Sequence, residues 1–287
     1  GEKADQALFL QKITDLNLRN AIFVDNTASD VVANTYADYL SKSISVVTCN
    51  KIACASAYPN YRKLKDLART YNASFLFETN VGAGLPIIDT LKNLVASGDE
   101  IKEIQAVLSG SLNFVFNHFN DQTTFHDVVK QAQEEGYTEP DPTIDLSGID
   151  VMRKILILAR ESGHVMEISD IENNAFLPAE SLETKSNEAF FESLIKYEGD
   201  FQAMYQKASA KGAKLKYVAS FKDGKASVGL QEIPQGHDFY ALEGSDNIVL
   251  FYTERYPNQP MIIKGAGAGA AVTASGIFAD IIRVGNF

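Results

Sequence analysis

Between residues 136 and 154 the chain reads Gly-Tyr-Thr-Glu-Pro-Asp-Pro-Thr-Ile-Asp-Leu-Ser-Gly-Ile-Asp-Val-Met-Arg-Lys, gathering Glu139, Asp141, Asp145 and Asp150 within reach of Lys154. Pro140 and Pro142 fix their own φ and push the residues before them out of helical conformation, so the first two carboxylates belong to a stiff loop. Asp150 and Lys154 are four apart on a predicted helix starting at Ile149, and so share a face. Taken alone, an Asp-x-x-x-Lys spacing is usually a solvated ion pair. Here Val151, Met152, Ile155, Leu156, Ile157 and Leu158 make the helix apolar around much of its circumference, as in a buried helix. A lysine on such a helix must be paired or tuned. An acidic loop beside it is a cage suited to a small polar substrate and its proton-transfer group.

The elements that must hold this cage are legible on both sides of it. In the first third, Ala21–Asp25, Ile44–Thr48 and Ser74–Glu78 read as short strands, and Ser29–Leu40 and Asn60–Tyr71 as the helices between them. That alternation predicts a parallel sheet, with ligands at the carboxyl ends of its strands: Asp25-Asn-Thr27, Thr48-Cys-Asn-Lys51 and Glu78-Thr-Asn80. No strand followed by a glycine-rich turn stands in residues 1–20, so the nucleotide-binding domain is expected to lack its usual start. Gly265-Ala-Gly-Ala-Gly-Ala270 matches G-x-G-x-x-A but lies too near residue 287 for a βαβ unit. It reads as a loop opening a C-terminal helix over 271–282, whose free N–H groups can face a ligand.

After residue 80 the texture changes. Helices are predicted at 85–96 (with Pro86 in the first turn), 111–119 and 124–135, and strands at 103–109, 214–221, 226–233, 247–252 and 261–264. Lys222-Asp-Gly-Lys225 has the composition of a hairpin turn. The expected class is α/β: a truncated Rossmann-like parallel sheet over 1–80, an α+β substrate and dimerisation domain over 81–264, and a helix over 265–287 returning to the first domain.

Composition narrows the function classes. With 287 residues, 45% of them hydrophobic, the chain can build two cores. A net charge of −11 argues against nucleic acid, and no apolar run long enough to span a membrane is present. Cys49 and Cys54 are too few for a disulfide framework, which makes a reducing cytoplasm the default compartment.

Two further constellations carry chemistry. Glu78-Thr-Asn-Val-Gly-Ala-Gly-Leu-Pro86 can turn several carbonyls toward one centre beside a carboxylate, an all-oxygen site for a hard cation, or it can be a plain glycine hinge. Leu108-Ser-Gly-Ser-Leu-Asn113 offers hydroxyls and N–H groups to a carboxylate, or a plain helix cap.

Together these segments resemble homoserine dehydrogenase, in particular the C-terminal catalytic part of bifunctional aspartokinase–homoserine dehydrogenases. The resemblance runs from about residue 20 onward. It rests on Val24-Asp-Asn-Thr27, Val47-Thr-Cys-Asn-Lys51, Thr79-Asn-Val-Gly-Ala-Gly-Leu-Pro86, Leu108-Ser-Gly-Ser-Leu112 and Gly136-Tyr-Thr-Glu-Pro-Asp-Pro142. Gly148-Ile-Asp-Val151 with Lys154, Phe176-Leu-Pro-Ala-Glu180, and Gly267-Ala-Gly269 with Thr273-Ala extend it. It implies reversible NAD(P)-dependent reduction of aspartate 4-semialdehyde to homoserine, with Lys154 as proton donor and Asp150 and Lys51 at the reacting centre. It further implies substrate contacts from Glu139, Asp145 and Asp150, with Tyr137 and Ser111 beside them, and cofactor contacts from Thr27, Lys51, Gly136 and Gly269. A monovalent cation, sodium, is implied at Glu78 and the carbonyls of Val81, Ala83 and Leu85. A homodimer and an aspartokinase domain fused upstream are the implied partners. Two other readings stand beside it. An aspartate-semialdehyde dehydrogenase would need an activated cysteine, and neither Cys49 nor Cys54 has a histidine adjacent in sequence. A non-catalytic amino-acid-binding or dimerisation module would bind homoserine without turnover.

Overall fold

The computed structural model describes residues 5–286. Helix α1 (Gln6–Leu16) is capped by Asp5, whose carboxylate accepts from Leu8 N at 3.0 Å, and ends at Asn17 in the left-handed conformation. Strand β1 (Ile22–Asp25) follows. The single helix expected over 29–40 is two: α2 (Asp30–Ala33), capped by Ser29, and α3 (Tyr36–Leu40). The break has a local cause, since the Thr35 hydroxyl bonds back to Val32 O at 2.7 Å and competes with the helical ladder. Strand β2 (Ser45–Thr48), helices α4 (Ile52–Ala55) and α5 (Tyr58–Thr70), and a two-residue β3 (Phe75–Leu76) complete a parallel sheet of order β1-β2-β3. Its register sets Asp25 beside Thr48, so the functional ends of β1 and β2 are level. Phe23 stacks on Tyr39 with centroids 4.0 Å apart, closing the core under α3. Glu78, expected at the end of the third strand, lies instead in a 3₁₀ turn (Glu78–Asn80).

Helix α6 (Ile87–Ala96) leads to β4 (Ile101–Val107), α7 (Gly110–His118), α8 (Phe125–Glu134), α9 (Pro142–Leu146) and α10 (Ile149–Glu161). Then come β5 (Ile171–Asn174), α11 (Ala179–Leu182), α12 (Asn187–Lys196), α13 (Glu198–Ser209), β6 (Lys214–Lys222), β7 (Lys225–Ile233), β8 (Asp246–Thr253), β9 (Met261–Ala266) and α14 (Ala270–Gly285). The second sheet has the order β5-β7-β6-β4-β8-β9 and is antiparallel except where β5 joins β7 in parallel. Asp223 and Gly224 both have positive φ, the conformation a two-residue hairpin turn demands between β6 and β7. Strand β5 escapes the sequence because Ile-Glu-Asn-Asn is neither alternating nor rich in strand formers; it is an edge strand with one buried residue.

Helix α10 is the axle of the molecule. Ile155 through Ala159 are fully buried, and the helix packs on β6 and β7 on one side and on α4 and α6 on the other. It begins at Gly148, whose φ is +75° and where an added Cβ would stand 2.0 Å from the Tyr217 hydroxyl. Both the backbone and the contact demand glycine there. Gly148→Ala is therefore expected to destabilise the fold by roughly 2–4 kcal/mol, combining positive-φ strain with overpacking. A denaturant midpoint equal to that of the parent would contradict this reading.

Candidate active site

Three of the four carboxylates, Glu139, Asp145 and Asp150, line one cavity with Lys154, while Asp141 is not among its lining residues. Pro142, taken from sequence as part of the loop, opens α9, with the Asp141 carboxylate capping it by accepting from Thr143 N at 3.0 Å. This short helix carries Asp145 back toward α7. There its carboxylate accepts from the Ser111 hydroxyl at 2.9 Å and from Glu139 N at 2.8 Å. The single proton of Ser111 is shared with Tyr137 O, 2.6 Å from the same hydroxyl, and the Tyr137 ring stacks on Phe114 at 4.1 Å. Asp145 and Ser111 thus build the loop 136–139, leaving the Glu139 side chain exposed at its rim.

Lys154 and Asp150 meet across one turn of α10, with Lys154 Nζ 2.7 Å from one Asp150 oxygen. The other oxygen lies 3.3 Å from Lys51 Nζ, which reaches over from the cap of α4 in the parallel-sheet half. Burial opposes ionisation of Asp150, but the Lys154 and Lys51 ammonium groups outweigh it and hold its carboxyl well below the usual carboxylate range. Its place in the first turn of α10 adds the favourable end of the helix dipole. Lys154 donates a second hydrogen bond, to Leu108 O at 2.7 Å. An ammonium has three N–H donors, so one remains to meet a ligand.

Lys154 lines a cavity of about 530 Å³. Lys154, Asp150, Asp145 and Glu139 line one side of it, the backbone turn Ser109–Ser111 another, and Gly136 with Tyr137 a third. Ala268 and Gly269 close it at the start of α14, where Gly269 takes a φ of +114°. Of the residues singled out from sequence, Ser111, Gly136, Tyr137, Glu139, Asp145, Asp150, Lys154 and Gly269 are brought to this one cavity. Lys51 joins it through Asp150. Thr27 lies apart, at the end of β1, where its N–H is held by Asp25 at 2.8 Å. Asp25 is itself buried and accepts from Tyr36 at 2.5 Å and Asn50 at 3.1 Å, a cluster that fixes the carboxyl ends of β1 and β2. Sequence reasoning did not single out Thr138 or Ser245, which also line the cavity, nor Tyr36 and Asn50. Thr138 and Asn50 stand inside sequence motifs but were given no role, and Tyr36 and Ser245 stand at element starts with no motif around them.

The loop after Glu78 does several jobs. Its carboxylate is buried and accepts from Ile88 N at 2.7 Å and Asp89 N at 2.8 Å, capping α6. Burial raises its pKa to about 7, against the pull of those two N–H groups. The glycines allow close packing: a Cβ on Gly84 would stand 2.5 Å from Val272 O, and one on Gly276 2.5 Å from the Thr79 methyl. Helix α14 therefore lies directly on this loop, and Asp280 accepts from Glu78 N at 3.1 Å. The carbonyls of Val81, Ala83 and Leu85 lie in the same loop, and each oxygen of the Glu78 carboxylate gives one lone pair to the start of α6.

No helix among the described residues is long and apolar enough to cross a membrane. Comparison with known proteins agrees with the geometry over both halves. The sequence model of the homoserine dehydrogenase NAD-binding domain matches residues 1–78, and that of homoserine dehydrogenase matches residues 86–282. A bifunctional aspartokinase/homoserine dehydrogenase 2 from Zea mays is 42% identical over 289 residues, covering 100% of this chain and 32% of the relative. The chain thus spans about a third of the length of such bifunctional relatives. A homoserine dehydrogenase from Schizosaccharomyces pombe is 39% identical, with 92% of this chain and 72% of the relative covered. Among solved structures, a hyperthermophilic archaeal homoserine dehydrogenase in complex with NADPH superposes with a TM-score of 0.71 at 30% identity, over 92% of this chain and 71% of that one. With the two family domains in order along the chain, and a relative of comparable length at this identity, the chain belongs to the homoserine dehydrogenase family.

Proposed function

We propose that this chain reduces aspartate 4-semialdehyde reversibly to homoserine with a nicotinamide cofactor, Lys154 serving as proton donor. The observation that carries the reading is Lys154 itself: two of its donors are spent on Asp150 and Leu108 O, a third is left, and the residue lines the cavity. A bound dihydronicotinamide would supply hydride to the aldehyde carbon. The residues around it fit such a ring, since Gly269 offers the backbone at the start of α14 and Lys51 stands at the carboxyl end of β2.

The chain's own part is proton transfer and orientation. Hydride arriving at the carbonyl carbon leaves an alkoxide, and an ammonium within hydrogen-bond reach neutralises it. Asp150, held ionised between two lysines, keeps Lys154 aimed and draws Lys51 to the same centre. Glu139 at the rim supplies the negative charge that an α-ammonium group seeks, and Asp145 with Ser111 holds the loop that presents it. We assign residues 1–80 to cofactor binding, 81–264 to substrate binding and dimerisation, and 265–287 to a helix that returns to the first part. The carbonyls of the 78–85 loop are the donor type a sodium ion prefers. An aspartokinase domain upstream and a homodimer complete the proposed assembly.

Glu139→Gln tests the substrate assignment. It is expected to raise KM for homoserine about tenfold or more while leaving KM for NADP close to that of the parent, because a charge-assisted hydrogen bond is replaced by a neutral one. An unchanged KM for homoserine would remove Glu139 from the site.

A further inference from the structure

We propose that Asn247 is a positioning residue for Lys154, acting through one shared backbone oxygen; the inference rests on the reading of Lys154 as proton donor. Leu108 lies between the end of β4 and the Ser109 cap of α7, outside both regular ladders. Its carbonyl accepts from two side chains, Lys154 Nζ at 2.7 Å and Asn247 Nδ2 at 3.3 Å. The antiparallel register that pairs Val107 with Ile248 brings Asn247, one residue earlier on β8, alongside Leu108. A carbonyl has two lone pairs, so the amide and the ammonium together saturate this oxygen and fix its direction.

Three features mark the amide as more than filling. Asn247 is fully buried at the head of an otherwise apolar run, Ile248–Phe251. Its Oδ1 has no hydrogen-bond partner among the described residues, a cost that an apolar side chain of similar size would not carry. Its orientation is nonetheless set, because the opposite one would place two acceptor oxygens against each other. Against the same amide stands Gly267, where a Cβ would lie 2.1 Å from both Cγ and Nδ2 of Asn247. The glycine loop that reaches the cavity through Ala268 and Gly269 therefore leaves only the space this amide needs. Asn247 connects that loop to the ammonium without touching substrate.

The test uses the full-length protein and four forms: parent, Lys154→Ala, Asn247→Leu and the double variant. Asn247→Leu is expected to lower kcat for aldehyde reduction by roughly ten- to a hundredfold, the usual consequence of a misplaced reacting group, with KM for NADPH unchanged. In the Lys154→Ala background the same change should cost nothing further. If Lys154→Ala is severely impaired while Asn247→Leu keeps the parent's kcat, the inference is overturned and the proton-donor reading stands. Losses that multiply in the double variant also overturn it, since they indicate a structural fault independent of the lysine. A near-parental kcat for Lys154→Ala overturns the proton-donor reading itself. Should the leucine variant fail to fold, Asn247→Ser provides the same comparison with less added bulk.

Discussion

Replacing Lys154 by alanine is expected to lower kcat for homoserine oxidation, and for the reverse reduction, by about a hundredfold or more, with the dissociation constant for NADPH little changed. General acid–base groups typically contribute this much. The geometry leaves no substitute in place. Asp150 remains in the variant, but the Lys51 ammonium at 3.3 Å still favours its ionised form, which makes it a poor source of a proton. Lys51 is the other ammonium nearby, but it reaches this carboxylate from the other sheet and is not among the residues that line the cavity. A loss seen in kcat rather than KM would place the missing interaction in the transition state. Kinetics of the variant in the full-length protein decide the matter: a kcat within a few-fold of the parent's would sink the assignment. Fluorescence titration with NADPH separates loss of chemistry from loss of binding.

Arg160→Leu is expected to cost about 3–5 kcal/mol of stability, the range for removing one partner from a buried charged network. At this chain length that is a fall in Tm of roughly ten degrees. The Arg160 side chain is fully buried at the far end of α10. It donates to Cys54 O at 2.8 Å, to Ser56 O at 2.7 Å, and twice to Met166 O at 3.0 and 2.8 Å. It also pairs with Glu167 at 3.1 Å and stacks over Tyr58 and Tyr61. Leucine fills part of the volume and leaves three carbonyl oxygens without these donors. The carbonyls of Cys54 and Ser56 end the short helix α4 that Lys51 begins. Arg160 and the Lys51–Asp150 pair therefore clamp α4 to α10 from its two ends, and Glu161 adds Lys65 at 3.0 Å and Tyr61 on the neighbouring α5. A variant that melts like the parent in a calorimetric scan would show this network to be dispensable. If stability falls as expected, kcat measured well below Tm should fall too, because the clamp sets the distance between the two lysines.

How much of this was legible before folding varies with the range of the interaction. The helix carrying Asp150 and Lys154 was readable because its evidence is local: a four-residue spacing, an apolar run and a glycine before it. The hairpin at Asp223-Gly224 was readable for the same reason, as its backbone demands those residue types. Helix 29–40 was only half readable, since its apolar pattern continues through Thr35 while the hydroxyl of that residue breaks the ladder. The three helices between 179 and 209 were not anticipated, and neither was edge strand β5, which holds its place by pairing with β7 rather than by its own propensity.

At the site, residue type named the chemistry and tertiary structure divided the labour. The loop 136–145 announced itself as an acidic cage, and five of its members, Gly136, Tyr137, Thr138, Glu139 and Asp145, do line the cavity. Asp145, however, turns its oxygens to Ser111 and to the backbone of Glu139. The carboxylate of Glu78 turns to the start of α6. Nothing in spacing along the chain distinguishes a carboxylate that meets a ligand from one that holds a loop, because that depends on which N–H and O–H groups a distant segment brings within three ångströms. By itself the sequence determined that Lys154 would stand one turn from Asp150 on a buried helix. Only the packing of β8 against β4, and of α4 against α10, decided that Leu108, Asn247 and Lys51 would be the groups to hold that pair in place. Those are contacts between residues far apart in sequence, and they exist only once the two sheets are docked on α10.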